Sequence, residues 1–291
     1  PKMDGAVLPI LHLNGYKINN PTVLSRLPKQ QLINLFNGYG YAPIFVEGNE
    51  PSSIHIKMAK AMDKAIESLL EIRKNADNYK NSTPIYPMII LRTPKGWTGP
   101  KIVDGKPIEG FWRAHQIPLI VNNQDDLNML KYWLESYKPD ELFDENYVPY
   151  KYITDILPKG NKRICASPYT NGGSLLKDLK TPKFEKYAVK FKGHGTTKAQ
   201  DMLELGGYVR DLLSMNKNNY RIFSPDENNS NRLYKVFEAT NRNFNAKKLA
   251  TDENLANDGH VMDSYLSEHM CEGWLEGYLL TGRHGMFDSY E

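Results

Sequence analysis

Three short apolar runs, separated by longer amphipathic stretches, constrain the fold of this chain more than any other feature. The runs span residues 6–13, 42–46 and 87–91. Such continuous apolar runs are typical of strands buried on both faces of a parallel sheet. The stretches between them carry apolar residues at a spacing of three to four, and Ser52-Ser53 is predicted to cap the second helix. This order predicts a doubly wound α/β fold, with ligands bound beyond the carboxyl ends of the strands.

The second half of the chain carries a weaker version of the same pattern. Thr196-Thr197 is predicted to cap a helix that runs to about Met215, and residues 187–191 and 220–223 are predicted strands. Residues 138–185 are rich in Pro, Lys and Gly with little periodicity, which is typical of a connection on the surface. We therefore expect two domains, 1–172 and 173–291, the second of them incomplete.

The composition excludes several classes of protein. The net charge is only +3, from 37 basic and 34 acidic residues, so no nucleic-acid partner is expected. No run of 18 apolar residues occurs and no signal peptide is visible, so no membrane partner is expected either. The two cysteines, Cys165 and Cys271, are far apart, which favours a reduced, cytoplasmic protein. Because neither end tapers into polar residues, we expect an internal segment of a longer chain.

Polar residues near two of the strand ends are candidates for chemistry in the first domain. Asn14 follows the first apolar run, and its amide oxygen together with a nearby backbone carbonyl suits Mg²⁺ that holds a diphosphate. An ordinary turn asparagine is the alternative. Lys95, between Pro94 and Gly96, could point into the crevice or be a solvated loop lysine. His115 is a candidate acid or base near neutral pH, or else a structural histidine.

A second group of candidates follows the predicted strand at 220–223. Ser230 and Arg232 offer hydroxyl and guanidinium donors that suit a sugar phosphate, although a capping loop has the same composition. Asp226 lies in the same segment and could equally be an exposed cap. Glu268, held among apolar neighbours such as Leu266, could exchange a proton with a bound heterocycle. A solvent-facing helical glutamate is the alternative.

Taken together and in order, these segments resemble those of thiamine-diphosphate-dependent phosphoketolases. The matching segments are His12-Leu-Asn-Gly-Tyr-Lys-Ile18, Thr93-Pro-Lys-Gly-Trp97, Arg113-Ala-His-Gln116, Ser224-Pro-Asp-Glu227, Ser230-Asn-Arg-Leu233, Ser267-Glu-His269, Glu272-Gly-Trp-Leu-Glu-Gly-Tyr-Leu-Leu-Thr-Gly-Arg-His-Gly285 and Ser289-Tyr-Glu291. The resemblance covers the whole chain, and its final block is highly specific. It implies the end of a diphosphate-binding domain, including its trailing linker, followed by the start of a pyrimidine-binding domain.

The resemblance implies a lyase that cleaves xylulose 5-phosphate, fructose 6-phosphate or both with inorganic phosphate. The products would be acetyl phosphate and glyceraldehyde 3-phosphate or erythrose 4-phosphate, with thiamine diphosphate and Mg²⁺ as cofactors. It also implies a homodimer with its active sites at the interface. A transketolase-like two-carbon transferase and a degenerate, non-catalytic paralogue remain alternatives.

The resemblance also implies a role for each candidate residue. Asn14 and the backbone carbonyl of Tyr16 would be Mg²⁺ ligands, and Lys95 and His115 would face the diphosphate and the reacting carbons. His115 would be the acid or base for the loss of water from the two-carbon unit after cleavage.

In the second domain, the resemblance implies that Glu268 hydrogen-bonds the aminopyrimidine ring of the cofactor. Asp226 would lie near the thiazolium. Ser230, Arg232 and Tyr290 would bind phosphate, and Tyr290 would also pack by the pyrimidine.

The chain departs from the family pattern at its start. The family's Gly-Asp-Gly segment, which carries a further Mg²⁺ ligand, is expected further upstream than the 13 residues that precede Asn14. The histidines that line the site near the amino terminus of the family are missing as well. We therefore expect the segment alone to be inactive.

Overall fold

The computed structural model describes residues 5–79, 82–115, 119–166 and 176–290. They belong to two compact units, Pro1–Leu157 and Pro158–Glu291. The predicted domain boundary at 172/173 lies outside the described residues. Each unit is built around a parallel sheet with helices, so the prediction of an α/β fold is confirmed.

The first unit contains a three-stranded parallel sheet in the order β1-β3-β2. Its strands are β1 (Ile10–His12), β2 (Tyr41–Glu47) and β3 (Tyr86–Arg92). Its helices are α1 (Val23–Arg26), α2 (Lys29–Gly38), α3 (Pro51–Lys74), α4 (Gln124–Glu135) and α5 (Lys151–Asp155). A small antiparallel hairpin joins β4 (Ile102–Val103) to β5 (Lys106–Pro107).

The central strand β3 divides the core of the first unit into two layers. Successive side chains of a strand point to opposite faces, and here Ile90 packs with Leu32 of α2 while Ile89 packs with Ile54 of α3. Both isoleucines are completely buried. Helices thus cover both faces of the sheet, which explains why the strand is apolar throughout.

The second unit contains a five-stranded parallel sheet in the order β10-β6-β9-β7-β8. The strands are β6 (Tyr220–Ser224), β7 (Arg242–Asn243), β8 (Leu255–Ala256), β9 (Val261–Asp263) and β10 (His284–Phe287). The helices are α6 (Asp201–Met215) and α7 (Glu268–Leu280). The core includes Val209 and Leu213 of α6, packed near Ile222 of β6.

Several local predictions were wrong. The side chain of Glu50, rather than Ser52 or Ser53, caps α3 by accepting from the two serine amides, since Pro51 occupies the first position of the helix. The helix predicted to start after Thr197 begins at Asp201, because the hydroxyl of Thr196 donates to the carbonyl of Gly193 in a local turn.

The predicted strand at 187–191 is also absent from the described structure. A short 3-10 helix, Phe184–Tyr187, ends there, and irregular chain follows it. The ring of Tyr187 instead packs edge-on against Tyr208, and its hydroxyl donates to Asp211. Side-chain contacts to α6 therefore replace the strand pairing that the sequence predicted.

Among the residues that the structure describes, no helix combines the length and the apolar character that crossing a membrane requires.

Candidate functional site

All three strands of the first sheet end at one edge, and their ends are linked by polar contacts. Just beyond β1 the amide of Leu13 donates to the carbonyl of Leu91, at 2.8 Å. One ring nitrogen of His12 lies 2.7 Å from the hydroxyl of Thr93. The chain that leaves β1 and the chain that leaves β3 are therefore held side by side at the carboxyl edge, where ligands of such sheets bind.

A rigid turn carries Asn14 and Tyr16 beyond β1. The side-chain oxygen of Asn14 accepts from the amide of Tyr16 at 3.2 Å. Gly15 has φ +98°, a conformation that L side chains rarely adopt. Its carbonyl accepts from the amide of Thr22 and the hydroxyl of Ser25, both at 3.1 Å. The turn is thus fixed on both sides.

Lys95 points inward and contacts this turn. Its side chain is almost completely buried, with 8% of the residue exposed. The ammonium lies 3.5 Å from the carbonyl oxygen of Tyr16 and also donates to the carbonyl of Lys17. A buried lysine is rare unless it is paired, and here two backbone carbonyls provide the partners. Of the two alternatives, a solvated loop lysine is excluded.

His115 is brought to the same edge by the segment that precedes it. The amide of Gly110 donates to the carbonyl of Lys95 at 2.8 Å, and the ring of Phe111 stacks on Tyr16 with 6.2 Å between centroids. A Cβ on Gly96 would lie only 2.5 Å from the Cβ of Ala114. His115 ends the 3-10 helix Trp112–His115 and is exposed. Asn14, Tyr16, Lys95 and His115 therefore belong to one neighbourhood.

The oxygens of this edge fit a hard cation in part. The amide oxygen of Asn14 and the carbonyl oxygen of Tyr16 are the kinds of ligand that Mg²⁺ accepts. The carbonyl of Tyr16 also faces the ammonium of Lys95, and a carbonyl oxygen has two lone pairs to share. No group of three or more His, Cys, Asp or Glu side chains suited to a metal occurs among the described residues. A metal bound here would need additional ligands.

The carboxyl edge of the second sheet has three buried or half-buried polar residues on neighbouring strands. Ser224 ends β6, Asp263 ends β9, and Asp288 directly follows β10. Ser224 and Asp288 are buried, whereas Asp263 is half-buried. The hydroxyl of Ser224 lies 3.3 Å from a carboxylate oxygen of Asp288. The three residues form a cluster, which we call the strand-end cluster.

The strand-end cluster holds the segment 224–232, which carries three of the predicted site residues. The amide of Asp226 donates to Asp263 at 2.9 Å, and the amide of Glu227 donates to the hydroxyl of Ser224 at 3.1 Å. The side-chain amide of Asn228 donates to Asp288 at 2.9 Å. Asp226, Ser230 and Arg232 themselves are exposed, so the segment presents them to solvent.

Burial alters the acidity of two members of this cluster. It raises the pKa of Asp288 to about 6, and the hydrogen bond from Ser224 opposes the rise only in part. Burial also raises the pKa of Asp263, although Arg242, whose Nε lies 3.0 Å from the carboxylate, acts to lower it. The guanidinium of Arg242 lies 4.1 Å from the ring centroid of Phe237, a cation–π contact. The edge is therefore rich in acidic groups that are hydrogen-bonded but poorly hydrated.

Glu268 and Tyr290 are both exposed on the surface of the second unit. Glu268 is the first residue of α7 and is exposed, and the expected apolar neighbour Leu266 is 71% exposed. The described part of the chain therefore does not bury this carboxylate. Tyr290 is also exposed, and its backbone amide donates to the carboxylate of Glu227. Tyr290 is thus tied to the segment 224–232 through its backbone.

The residues that hold this second edge were not predicted from the sequence. Ser224, Asn228, Asp263 and Asp288 carry the contacts, and none of them was singled out. A signal was present, since each strand-end residue directly follows or ends an apolar run, as Asn14 does in the first unit. Strands as short as β9 and β10, of three and four residues, made that signal hard to recognise.

Comparison with protein families gives a match in each half of the chain. Residues 1–175 match the model described as "XFP N-terminal domain". Residues 203–291 match the model of D-xylulose 5-phosphate/D-fructose 6-phosphate phosphoketolase.

Curated relatives match over the whole chain. The chain is 57% identical over 297 residues to a probable phosphoketolase of Clostridium acetobutylicum, covering 100% of this chain and 37% of that protein. It is 52% identical over 295 residues to a probable phosphoketolase of Brucella suis biovar 1, with the same coverage. The chain therefore spans little more than a third of the length of these relatives.

Among solved structures, the chain is similar to a transketolase from Campylobacter jejuni subsp. jejuni NCTC 11168. The match covers 97% of this chain and 38% of that one, with 15% identity and a TM-score of 0.43. At that TM-score the likeness carries no further weight.

Proposed function

Because the chain belongs to the D-xylulose 5-phosphate/D-fructose 6-phosphate phosphoketolase family, we propose that the complete protein is a phosphoketolase. It cleaves xylulose 5-phosphate, fructose 6-phosphate or both with inorganic phosphate, and it releases acetyl phosphate, a shorter aldose phosphate and water. The observation that carries this proposal is the match of both halves of the chain to models of one family. In this proposal the protein is an aldehyde-lyase.

The first carboxyl edge supports a role in holding a diphosphate and its metal ion. We assign Asn14 and the backbone carbonyl of Tyr16 as ligands of Mg²⁺, and Lys95 as the cation that faces the diphosphate. The buried position of Lys95 against the turn supports this assignment, since its charge is fixed and little hydrated there. Cleavage of the carbon–carbon bond is chemistry that thiamine diphosphate supplies when it is bound.

His115 is the proposed proton donor and acceptor of the first edge. It is exposed at the end of a 3-10 helix, one residue after Ala114, which packs on Gly96. An exposed imidazole in this position is available to a bound substrate for proton transfer. We assign to it the proton transfer of the dehydration step.

The second carboxyl edge supports a role in binding the phosphate group of a sugar. We assign Ser230 and Arg232 as donors to that phosphate and Asp226 as a neighbour of the thiazolium ring. Arg232 suits the role because its guanidinium can form two parallel hydrogen bonds with a phosphate. Tyr290 is assigned to the same phosphate and to the pyrimidine.

Glu268 is the proposed partner of the aminopyrimidine ring, although it is exposed in this chain. A carboxylate there would hold the proton that the ring must exchange. Glu268→Gln in the complete protein is expected to abolish turnover and to leave the unfolding temperature nearly unchanged, since the side chain is not buried. Retained turnover would remove Glu268 from this role.

The proposal also includes a dimer and a cytoplasmic location. Several apolar residues of α7 are exposed, including Leu279 and Leu280, and an apolar surface of this kind favours a partner. Light scattering on the complete protein tests the dimer. The two cysteines are free thiols, Cys165 exposed and Cys271 buried, as expected in a reducing compartment.

One assay separates the proposed reaction from its alternatives. The complete protein is incubated with xylulose 5-phosphate and inorganic phosphate, and acetyl phosphate is trapped as its hydroxamate. Product is expected with phosphate and without any added aldose. Turnover only after an aldose is added would identify a transketolase-like transferase. No turnover under either condition would identify a degenerate paralogue.

A further inference from the structure

The segment 224–232 adopts a backbone conformation that it would not keep by itself. Asp226 and Arg232 have φ values of 63° and 60°, in the left-handed region that residues with a side chain seldom occupy. Such residues persist only where surrounding contacts impose the conformation, and they concentrate at functional sites. Ser230 and Arg232 are exposed, so the contacts that impose it must be made by other residues.

Asp288 makes two side-chain contacts with the segment 224–232, from 60 or more residues further along the chain. Its carboxylate accepts from the side-chain amide of Asn228, which is 99% buried and lies in the middle of the segment, and from the hydroxyl of Ser224 at its start. The amide of Asp288 also donates to the carbonyl of Phe223 at 3.1 Å. Asp288, the first residue after β10, therefore holds both the start and the centre of the segment.

The contact is unusual because it is energetically costly. Asp288 is 94% buried, and among the described residues its second carboxylate oxygen has no hydrogen-bond partner, as is also true of the side-chain oxygen of Asn228. Two acidic neighbours, Asp263 of β9 and Glu227 of the segment, raise the pKa of Asp288 further. A buried carboxylate without a cation destabilises the fold. Its presence at this position is explained if the conformation of the segment matters more than stability.

We propose that Asp288 is a positioning residue, which holds the segment 224–232 in the conformation that presents Ser230 and Arg232 to a phosphate dianion. The inference rests on the proposed function of those two residues and adds a residue that does not itself touch the substrate. Asp288 holds the side chain of Asn228, and Ser230 and Arg232 follow Asn228 in the segment. A second contact, from the amide of Tyr290 to Glu227, ties the chain after Asp288 to the same segment.

The test compares variants of the complete protein in the acetyl phosphate assay. Asp288→Ala is expected to raise the KM for xylulose 5-phosphate about tenfold, the loss of roughly one charged hydrogen bond, and to change kcat less than threefold. Asp288→Asn retains an oxygen acceptor and is expected to keep KM within about threefold of the wild-type value. Asp258→Ala, at an exposed position of the same unit, is the matched control and should leave KM unchanged.

A purely structural role would give a different result. In that case Asp288→Ala would lower the unfolding temperature but leave KM within twofold of wild type, which would overturn the proposal. If Asp288→Ala does not fold, Asn228→Ala removes the same contact from the segment's side and is expected to raise KM similarly. An unchanged KM in a folded Asn228→Ala protein would overturn it as well.

Direct binding separates this inference from the proposed function. Calorimetric titration with xylulose 5-phosphate measures the affinity of wild type and Asp288→Ala without turnover. If wild type makes no acetyl phosphate, the proposed function fails, while a tenfold loss of affinity in the variant would still support positioning. If wild type is active and both variants bind as wild type does, only the positioning role fails.

Discussion

At the carboxyl edge of the first sheet, the buried ammonium of Lys95 donates to backbone carbonyls, whereas at the edge of the second sheet buried carboxylates accept hydrogen bonds. Both edges have to satisfy the polar groups of loops that leave a parallel sheet. The first does so with a cation and the second with the acids Asp263 and Asp288. The sign of the fixed charge therefore differs between two edges of similar architecture.

This difference indicates what each edge can bind. In the proposed function, the cation fixed beside the carbonyl oxygen of Tyr16 would lower the cost of bringing a diphosphate there. At the second edge the acids are used internally, and the side chains left exposed, Ser230 and Arg232, are donors. The internal charge of the second edge thus holds a loop, whereas the internal charge of the first edge is proposed to act on a ligand as well.

The largest expected effect is the loss of the cation at the first edge. Lys95→Met should lower acetyl phosphate formation by about 100-fold or more, because the fixed charge that faces the proposed diphosphate is removed. It should also lower the free energy of unfolding by about 2 kcal/mol, since two carbonyls lose a charged donor.

Lys57→Met is the matched control for Lys95. Lys57 donates to the carbonyl of Glu47 at the same edge but is exposed, so the change should cost less than about 0.5 kcal/mol and leave activity unchanged. Equal effects of the two substitutions would show that burial of Lys95 has no special role. Steady-state kinetics and thermal unfolding give the two readouts.

The next effect concerns acidity at the second edge. The pKa of Asp288 is about 6 in the fold, above the ordinary value of about 3.9 in an unfolded chain, so the folded state binds the proton more tightly. The carboxylate therefore destabilises the fold above pH 6, and the destabilisation is relieved as the pH falls from 6 towards 4. The full change is on the order of 3 kcal/mol.

Asp288→Asn removes this dependence. The stability of wild type relative to Asp288→Asn is expected to increase as the pH falls from 7 to 4, measured by thermal unfolding of both proteins. Asp258→Asn reports the effect of losing a carboxylate that is not buried. A difference between wild type and Asp288→Asn that does not vary with pH would show that Asp288 does not titrate in this range.

A smaller effect tests how closely the backbone must approach at the first edge. Gly96 has φ +67°, and an added Cβ would lie 2.5 Å from the Cβ of Ala114. Gly96→Ala should cost about 2 kcal/mol, from backbone strain and from displacement of the helix that carries His115. In α7 the space around Gly273 is open, so Gly273→Ala should instead stabilise by about 0.5 kcal/mol or more. Denaturant unfolding of the two variants gives the comparison.

The smallest effect is expected on the rim of the first edge. Lys29 and Glu47 form an ion pair at 3.2 Å, with side chains 54% and 35% exposed. Lys29→Ala should change the free energy of unfolding by less than about 0.5 kcal/mol, because solvent and salt screen such pairs. The same change measured at high salt should be smaller still. A larger value would mean that exposed ion pairs, as well as the buried charge of Lys95, stabilise the first edge.

The sequence predicted the centre of each sheet and much of the first edge. The runs at 42–46, 87–91 and 220–223 correspond to β2, β3 and β6, because strands covered on both faces are mostly apolar. The rule that ligands bind beyond strand ends singled out Asn14 and Lys95, and the structure has both at that edge, while their roles remain predictions. That rule works where the strand itself is visible in the sequence.

The rest could not be predicted because it depends on pairing between distant residues. The strand β10 has four residues, including a histidine and a glycine, and is recognisable only through its pairing with β6. Gly285 shows why a small residue is needed, since a Cβ there would lie 2.9 Å from the carbonyl oxygen of Arg221. The role of Asp288 follows from that pairing and from no local pattern.

The position of Asp288 in the chain also has a consequence for biosynthesis. Asn228 precedes its carboxylate partner, Asp288, by 60 residues. At synthesis rates of about 5–20 residues per second, roughly 3–12 s pass between the translation of the two residues. During that interval the loop bearing Arg232 lacks the contact that sets its shape. A nascent chain arrested before β10 should therefore expose this loop to protease, and release of the next residues should protect it.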